Sequence, residues 1–383
     1  MTGRRTWTSS KRPAASAAAM VLMLASAWTA PGLAADTMPA AAPAGWDRQA
    51  AARYLDGREV WWQAWDRAQK DHRTLCVSCH TQATYALARP ALRQDLAEAG
   101  PTPSELAMLA SGEKRVGNWK QMQPFYSDVL SGPGKEVESR DAESVLNAVI
   151  LSSYDVRQGK LSPTTRTAFD NAWALQSKTG PDAGSWVWQN FGYAPWESKE
   201  SQYHWAALMA IAVARAPDRY RDDPKIAANL AALTGYLRRH YKAQPLLNKM
   251  VAVWASADYP AVVDAAERAK LIATLDHLQH PDGGWSLTDL GPWKRVDKTP
   301  LETRSDGYAT GLTVLVREDL DPGARADAPV ERGIAWLLAN QDRTTGAWTA
   351  WSVNKNRAPT SDAGPFMTDA ATSYAVLALQ ARR

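Results

Sequence analysis

Two kinds of helical segment alternate along this chain. One kind, such as ERGIAWLLANQ (331–341), carries an apolar stripe at helical spacing with charge on the opposite side. The other, such as YHWAALMAIAVA (203–214), is apolar around most of its circumference. A helix with a single apolar stripe covers a core, whereas one that is apolar all round lies inside it. Six outer/inner pairs are predicted in this way. The outer helices begin near residues 46, 103, 164, 223, 261 and 328. Their inner partners span roughly 76–99, 139–155, 199–215, 246–257, 306–318 and 369–382. Six alternations describe an all-α (α/α)6 toroid, with inner helices parallel to one another and outer ones antiparallel to them.

Three of the outer segments end alike. AFDNAWALQSKTGPDAGSW (168–186), LIATLDHLQHPDGGW (271–285) and ERGIAWLLANQDRTTGAW (331–348) each close an amphipathic helix with Gln, a polar turn containing Gly, and then Trp. These turns account for part of an unusual aromatic balance, 18 Trp against 4 Phe. The Gln-turn-Trp units resemble the repeats of squalene and oxidosqualene cyclases and, more loosely, of protein prenyltransferase β subunits. That resemblance implies a toroid of the terpene cyclase/prenyltransferase type. It does not extend to cyclisation chemistry. The cyclases use an Asp-rich acid motif at an inner-helix start, and the matching stretch here, Met367–Thr372, holds the single Asp369. The one consecutive pair, Asp222–Asp223, precedes Pro224 and reads as a helix cap.

Residues 1–35 read as a secretory signal peptide: Arg4, Arg5, Lys11 and Arg12, then a short Ala-rich apolar run, then small residues at a cleavage point after Ala34 or Ala35. The expected location is periplasmic or secreted, with a single toroid domain over 36–383. No later run is apolar for the ~18 residues a membrane span needs. The signal also holds the whole charge excess. The chain has 44 basic and 40 acidic residues, a net +4, so removing four basic residues leaves 40 against 40. Neither nucleic acid nor an anionic membrane surface is implied.

The only two cysteines stand in Cys76-Val77-Ser78-Cys79-His80. With inner helix one taken to open at Cys76, both thiols share a helix face at the toroid mouth. They can reach two vinyl groups of one porphyrin, with His80 as axial ligand to the iron. The run C-x-x-C-H resembles the haem-attachment motif of c-type cytochromes, which implies one covalent haem c. Zinc is the alternative. Prenyltransferase β subunits hold zinc with Asp, Cys and His from inner-helix starts, and Cys76, Cys79 and His80 with Asp306 or Asp369 could imitate that set.

Other inner-helix starts supply the remaining candidates. His204 is the candidate distal haem ligand, with Met209 a weaker one because it lies roughly 140° round the helix. Tyr203, Asp306, Tyr308 and Asp369 are candidate polar groups in the cavity. His72, His240, His277 and His280 read as surface residues. The function expected from these residues is that of an exported mono-haem protein, redox-active on or near a hydrophobic ligand such as an isoprenoid. A periplasmic electron-transfer cytochrome with a redox partner protein is one alternative. A zinc-dependent prenyltransferase-like toroid, or a non-redox lipid-binding toroid, is another.

Overall fold

The computed structural model describes residues 45–380. The expected signal peptide and its cleavage point lie outside the described residues. Six outer helices are α1 (Arg48–Ala64), α3 (Pro103–Gly117), α6 (Pro163–Leu175), α8 (Ala227–His240), α10 (Ala265–His277) and α12 (Ala328–Ala339). Six inner helices are α2 (Gln82–Asp95), α5 (Lys135–Gln158), α7 (Ser201–Arg215), α9 (Leu246–Asp258), α11 (Gly307–Leu320) and α13 (Phe366–Leu379). A one-turn helix, α4 (Asp128–Ser131), precedes α5. Successive inner helices pack side by side, α2 on α5, α5 on α7, and onward to α11 on α13, and α13 packs back on α2. The ring is closed, and the protein is an all-α (α/α)6 toroid.

The Gln-turn-Trp units are the staples of that ring. Gln176 Nε2 donates to the carbonyl of Gly184 in its own turn (2.9 Å) and to that of Asn229 in the next outer helix, α8 (3.0 Å). Gln279 joins Gly283 to Pro329 of α12 in the same way. Gln341 joins Gly346 to Asp47, the N-cap of α1, and also accepts from the Asp47 N–H. The third staple therefore ties the last outer helix to the first. Each partner Trp buries its ring and donates its indole N–H to a carbonyl of the preceding helix: Trp186 to Ala172, Trp285 to Leu275, Trp348 to Leu337. Inner-helix starts hold the segment after each Trp, with Asp141 accepting from Val187 N–H and Asp306 from Leu287 N–H. Gln341→Ala would strand the buried Gly346 carbonyl and the partly buried backbone groups of Asp47. A loss of about 2 kcal/mol is expected, read as a lower urea midpoint at unchanged slope.

The first repeat departs from the pattern. Residues 69–75, between the first outer and inner helices, make a hairpin in place of a Gln-turn-Trp unit, β1 (Gln69–Lys70) paired antiparallel with β2 (Thr74–Leu75). His72 and Arg73 turn it with positive φ. Gln69 is exposed and donates back to Gln63, so no staple forms here. The fully buried Arg115 of α3 holds the hairpin instead, donating to Asp71, Thr74 Oγ1 and Glu143 of α5.

Candidate functional site

Inner helix one was expected to open at Cys76; it opens at Gln82. Cys76–Thr81 is an irregular loop at the mouth of the ring, because its backbone is held by side chains in place of helical bonds. Trp62 of α1 donates to Cys76 O (2.9 Å), Gln82 Oε1 accepts from Ser78 N–H (3.2 Å), and Ser78 Oγ accepts from Thr81 N–H (2.9 Å). The two thiols thus do not share a helix face. They nevertheless line the same cavity, and both are free.

That cavity, of about 210 Å³, is walled chiefly by aromatic rings. On the side of α1 and α13 stand Trp62, Trp65 and Phe366. Further lining comes from Phe125, Tyr126 and the loop between α6 and α7, which contributes Trp188, Tyr193 and Trp196. His80 lies between the walls. Its ring stacks on Phe366 (centroids 3.6 Å apart, planes 19° apart) and meets Trp62 edge-on at 5.4 Å. The other polar side chains lining it are Ser78, Gln189, Glu197, Ser352, Asn354 and Arg357.

Burial sets the protonation states. It pushes the Cys76 thiol up to about 12 and the Cys79 thiol well above its usual value, with the Glu197 carboxyl adding to both. Both are therefore neutral thiols at neutral pH. Burial also pushes Glu197 up to about 7 against the pull of Arg357 and Lys135, so its carboxyl exchanges protons near neutrality. The His80 imidazole is driven well below its ordinary value, first by burial and then by the Arg58 and Arg357 charges.

The other residues expected at the site lie elsewhere. Tyr203 reaches outward to Leu237 O of α8 (2.9 Å). His204 is buried in the ring wall against Trp205, its Nδ1 without a partner, and is not part of the cavity lining. Met209 is fully buried core. Asp306 caps α11 through Ala309 N–H (2.9 Å). Tyr308 packs on Tyr374 and sits behind Trp196, 6.0 Å between centroids. Asp369 lies one layer behind His80, bound to Thr81, Tyr54 and Arg58. Asp306 and Asp369, the two expected fourth ligands of a zinc site, are both engaged away from the cysteines. Among the described residues no three His, Cys, Asp or Glu side chains are arranged to hold a metal ion.

Glu197, Arg357, Phe366 and the loop tryptophans were not anticipated as site residues. The signal was present in GSWVWQNFGYAPWES (184–198), which packs five aromatic residues into one inter-helix loop. A larger cavity, about 540 Å³, opens at the other mouth among the C-terminal ends of the inner helices. Charged groups there are engaged with one another, as in Arg215 with Asp258 and Asp319. The reactive side chains gather at the smaller one.

No family model matches the chain, nor does any curated protein sequence. Among solved structures the toroid is similar to the GH76A alpha-1,6-mannanase from Salegentibacter sp. HEL1_6. The match spans 87% of this chain and 99% of that enzyme, with a TM-score of 0.51 at 10% identity. An inactive variant of the same enzyme, with two aspartates changed to asparagine and in complex with alpha-1,6-mannotriose, gives 0.49 over the same shares, again at 10% identity. The likeness shows the fold. It also corrects the kinship read from the motifs: these toroid neighbours are glycoside hydrolases, not c-type cytochromes, squalene or oxidosqualene cyclases, or prenyltransferase subunits.

With that kinship go the functions that rested on it. They are the haem oxidoreductase acting near an isoprenoid, the electron-transfer cytochrome, and the zinc prenyltransferase-like or lipid-binding toroid. The physical reason is that a Gln-turn-Trp unit fastens helix ends in a closed ring, a task independent of the chemistry performed inside it.

Proposed function

We propose that this chain is a small-molecule-binding toroid whose mouth cavity takes a flat, ring-bearing, largely apolar molecule. The ligand would stack on Phe366, Trp62 and Trp188 and be oriented by His80 and Glu197. One observation carries this reading: aromatic rings from four segments of the chain converge with His80, two thiols and a single carboxylate in one open cavity. Apolar walls with a few placed polar groups are the usual build of a small-molecule site. The glycosidase chemistry of the fold's neighbours is not adopted. It calls for two carboxylates across a bound sugar, and Glu197 is the one carboxylate lining this cavity.

The cofactor expected from the motif, one covalent haem c, belongs to this proposal as one form of the ligand. Cys76 and Cys79 would carry the thioether links and His80 would offer Nε2 to the iron. Once bound, such a group would supply a Lewis-acidic metal centre. The chain's own residues would hold it flat between the rings, exclude water from the apolar walls, and keep a proton available on Glu197. Export through the N-terminal signal is part of the same proposal.

The test is quenching of tryptophan fluorescence in protein exported from cells with and without a cytochrome c maturation system. Two probes are used, a free tetrapyrrole and a mannose oligosaccharide. Saturable quenching by the tetrapyrrole, or a visible absorption that stays with the polypeptide on a denaturing gel, is expected. Phe366→Ala should weaken binding about tenfold, the loss of one stacking partner. Replacing either cysteine should abolish covalent retention and leave the fold intact. Saturation by the oligosaccharide alone, or by neither probe, overturns the reading.

A further inference from the structure

Asp369 is fully buried and does not face the cavity, yet its hydrogen bonds reach the one imidazole that does. Its Oδ1 accepts from Arg58 Nε and from Tyr54 OH, each at 2.8 Å. Its Oδ2 accepts from Thr81 Oγ1, also at 2.8 Å. Three donors converge on two oxygens, the arrangement a carboxylate requires. The single hydroxyl proton of Thr81 is thereby committed to Asp369.

Thr81 Oγ1 also lies 2.9 Å from His80 Nδ1. With its proton already given away, the hydroxyl can meet that nitrogen only as an acceptor. For that contact to be a hydrogen bond, Nδ1 carries the hydrogen. Ser78 Oγ, 3.0 Å from the same nitrogen, can serve as a second acceptor. In a neutral imidazole protonated at Nδ1 the lone pair falls on Nε2. Nδ1 faces Ser78 and Thr81, which leaves Nε2, at the far edge of the ring, on the cavity side. The stack on Phe366 prevents the ring from turning away.

We infer that Thr81 and Asp369 are positioning residues that lock His80 as the Nδ1–H tautomer and present Nε2 to the cavity as an electron-pair donor. The inference rests on the mouth cavity being the binding site and narrows what it takes. The bound molecule must offer an electron-accepting group at that point, either an acidic N–H or O–H or a metal centre that it carries.

The test needs no ligand. In full-length protein labelled with 15N-histidine, long-range proton–nitrogen correlation distinguishes a protonated ring nitrogen from a bare one. The His80 signals are identified by their loss in His80→Gln. Wild type should show a protonated Nδ1 and a bare Nε2. Thr81→Val should move the ring to the other tautomer or to an exchanging mixture, and Thr81→Ser should restore the wild-type pattern. A protonated Nε2 in wild type, or a Thr81→Val spectrum identical to wild type in a folded protein, overturns the inference. If Thr81→Val does not fold, the wild-type and Thr81→Ser spectra decide. Failure of every probe to bind while the Nδ1–H signature is present would remove the binding-site reading and leave the tautomer lock standing.

Discussion

Stability is expected to fall by roughly 5 kcal/mol as pH rises from about 4.5 through about 8, through one side chain, Glu59 of α1. Glu59 is fully buried, and its Oε1 accepts from Gln63 and Gln82 at 2.8 Å each, while Oε2 has no partner. Burial raises its pKa from the usual 4.5 to about 8; the two amide donors oppose the shift but do not cancel it. The sign follows from the folded state holding the proton more tightly than the unfolded chain. The full contribution is present below about 4.5, and it is lost as pH rises through about 8 and the buried carboxyl must ionise.

Glu197, Asp141 and Asp306, each raised to about 7, slope in the same direction, so the total pH dependence is not the signature. The signature is the difference from Glu59→Gln. Urea midpoints across this window should show the variant losing less stability than wild type as pH rises. Parallel curves would refute the assignment. Function is linked, because Gln82, which donates to Glu59, also accepts from Ser78 N–H in the thiol loop. The same Gln82 side chain thus connects the protonation of Glu59 to the loop that carries the thiols.

The second large effect is expected at the ring closure. Gly346 has φ +83°, and a Cβ there would lie 2.2 Å from the Ala50 carbonyl carbon of α1. Gly346→Val combines a left-handed backbone that a β-branched residue rarely adopts with a clash against backbone that cannot rotate aside. The expected cost is more than about 4 kcal/mol. It should appear as an expanded, partly unfolded protein in thermal melts and size-exclusion chromatography. Gly192, with φ +73° in an open loop and nothing near its Cβ position, provides the control. Gly192→Ala should cost only about 1 kcal/mol, the backbone strain alone. Equal losses at the two sites would mean that contact between the last staple and α1 is not what closes the ring.

Most of the toroid was legible along the chain. Five of the six inner helices lie within three or four residues of the predicted spans, because a helix apolar on all sides has nowhere to go but the interior. The outer helices followed from their single stripe and from local caps such as Thr102, whose side chain forms a capping box with Glu105. The failure was local to the first pair. Residues 76–81 read as helix, but Ser78, Thr81 and Gln82 supply side-chain partners that compete with helical bonds, and tryptophan Trp62 takes the Cys76 carbonyl.

What the sequence by itself determined is the class of fold and the three Gln-turn-Trp units, since both depend on periodicity and on residues within about fifteen positions of one another. Tertiary structure alone decided which polar side chains share a cavity. Cys76 and Cys79, Glu197, Arg357 and Phe366 come from separate loops and helix starts up to 290 positions apart, and only closure of the ring brings them to one mouth. The same closure sent Tyr203, His204, Asp306 and Tyr308 into the wall. An inner-helix start can point toward the mouth, along the wall or back to the outer layer, and that choice depends on how its neighbours pack. Asp369 shows the point most directly. In sequence it is a lone acid at a helix start; in the folded ring it sits 288 positions from Thr81 and 2.8 Å away, where its effect reaches the cavity only through another residue's hydroxyl.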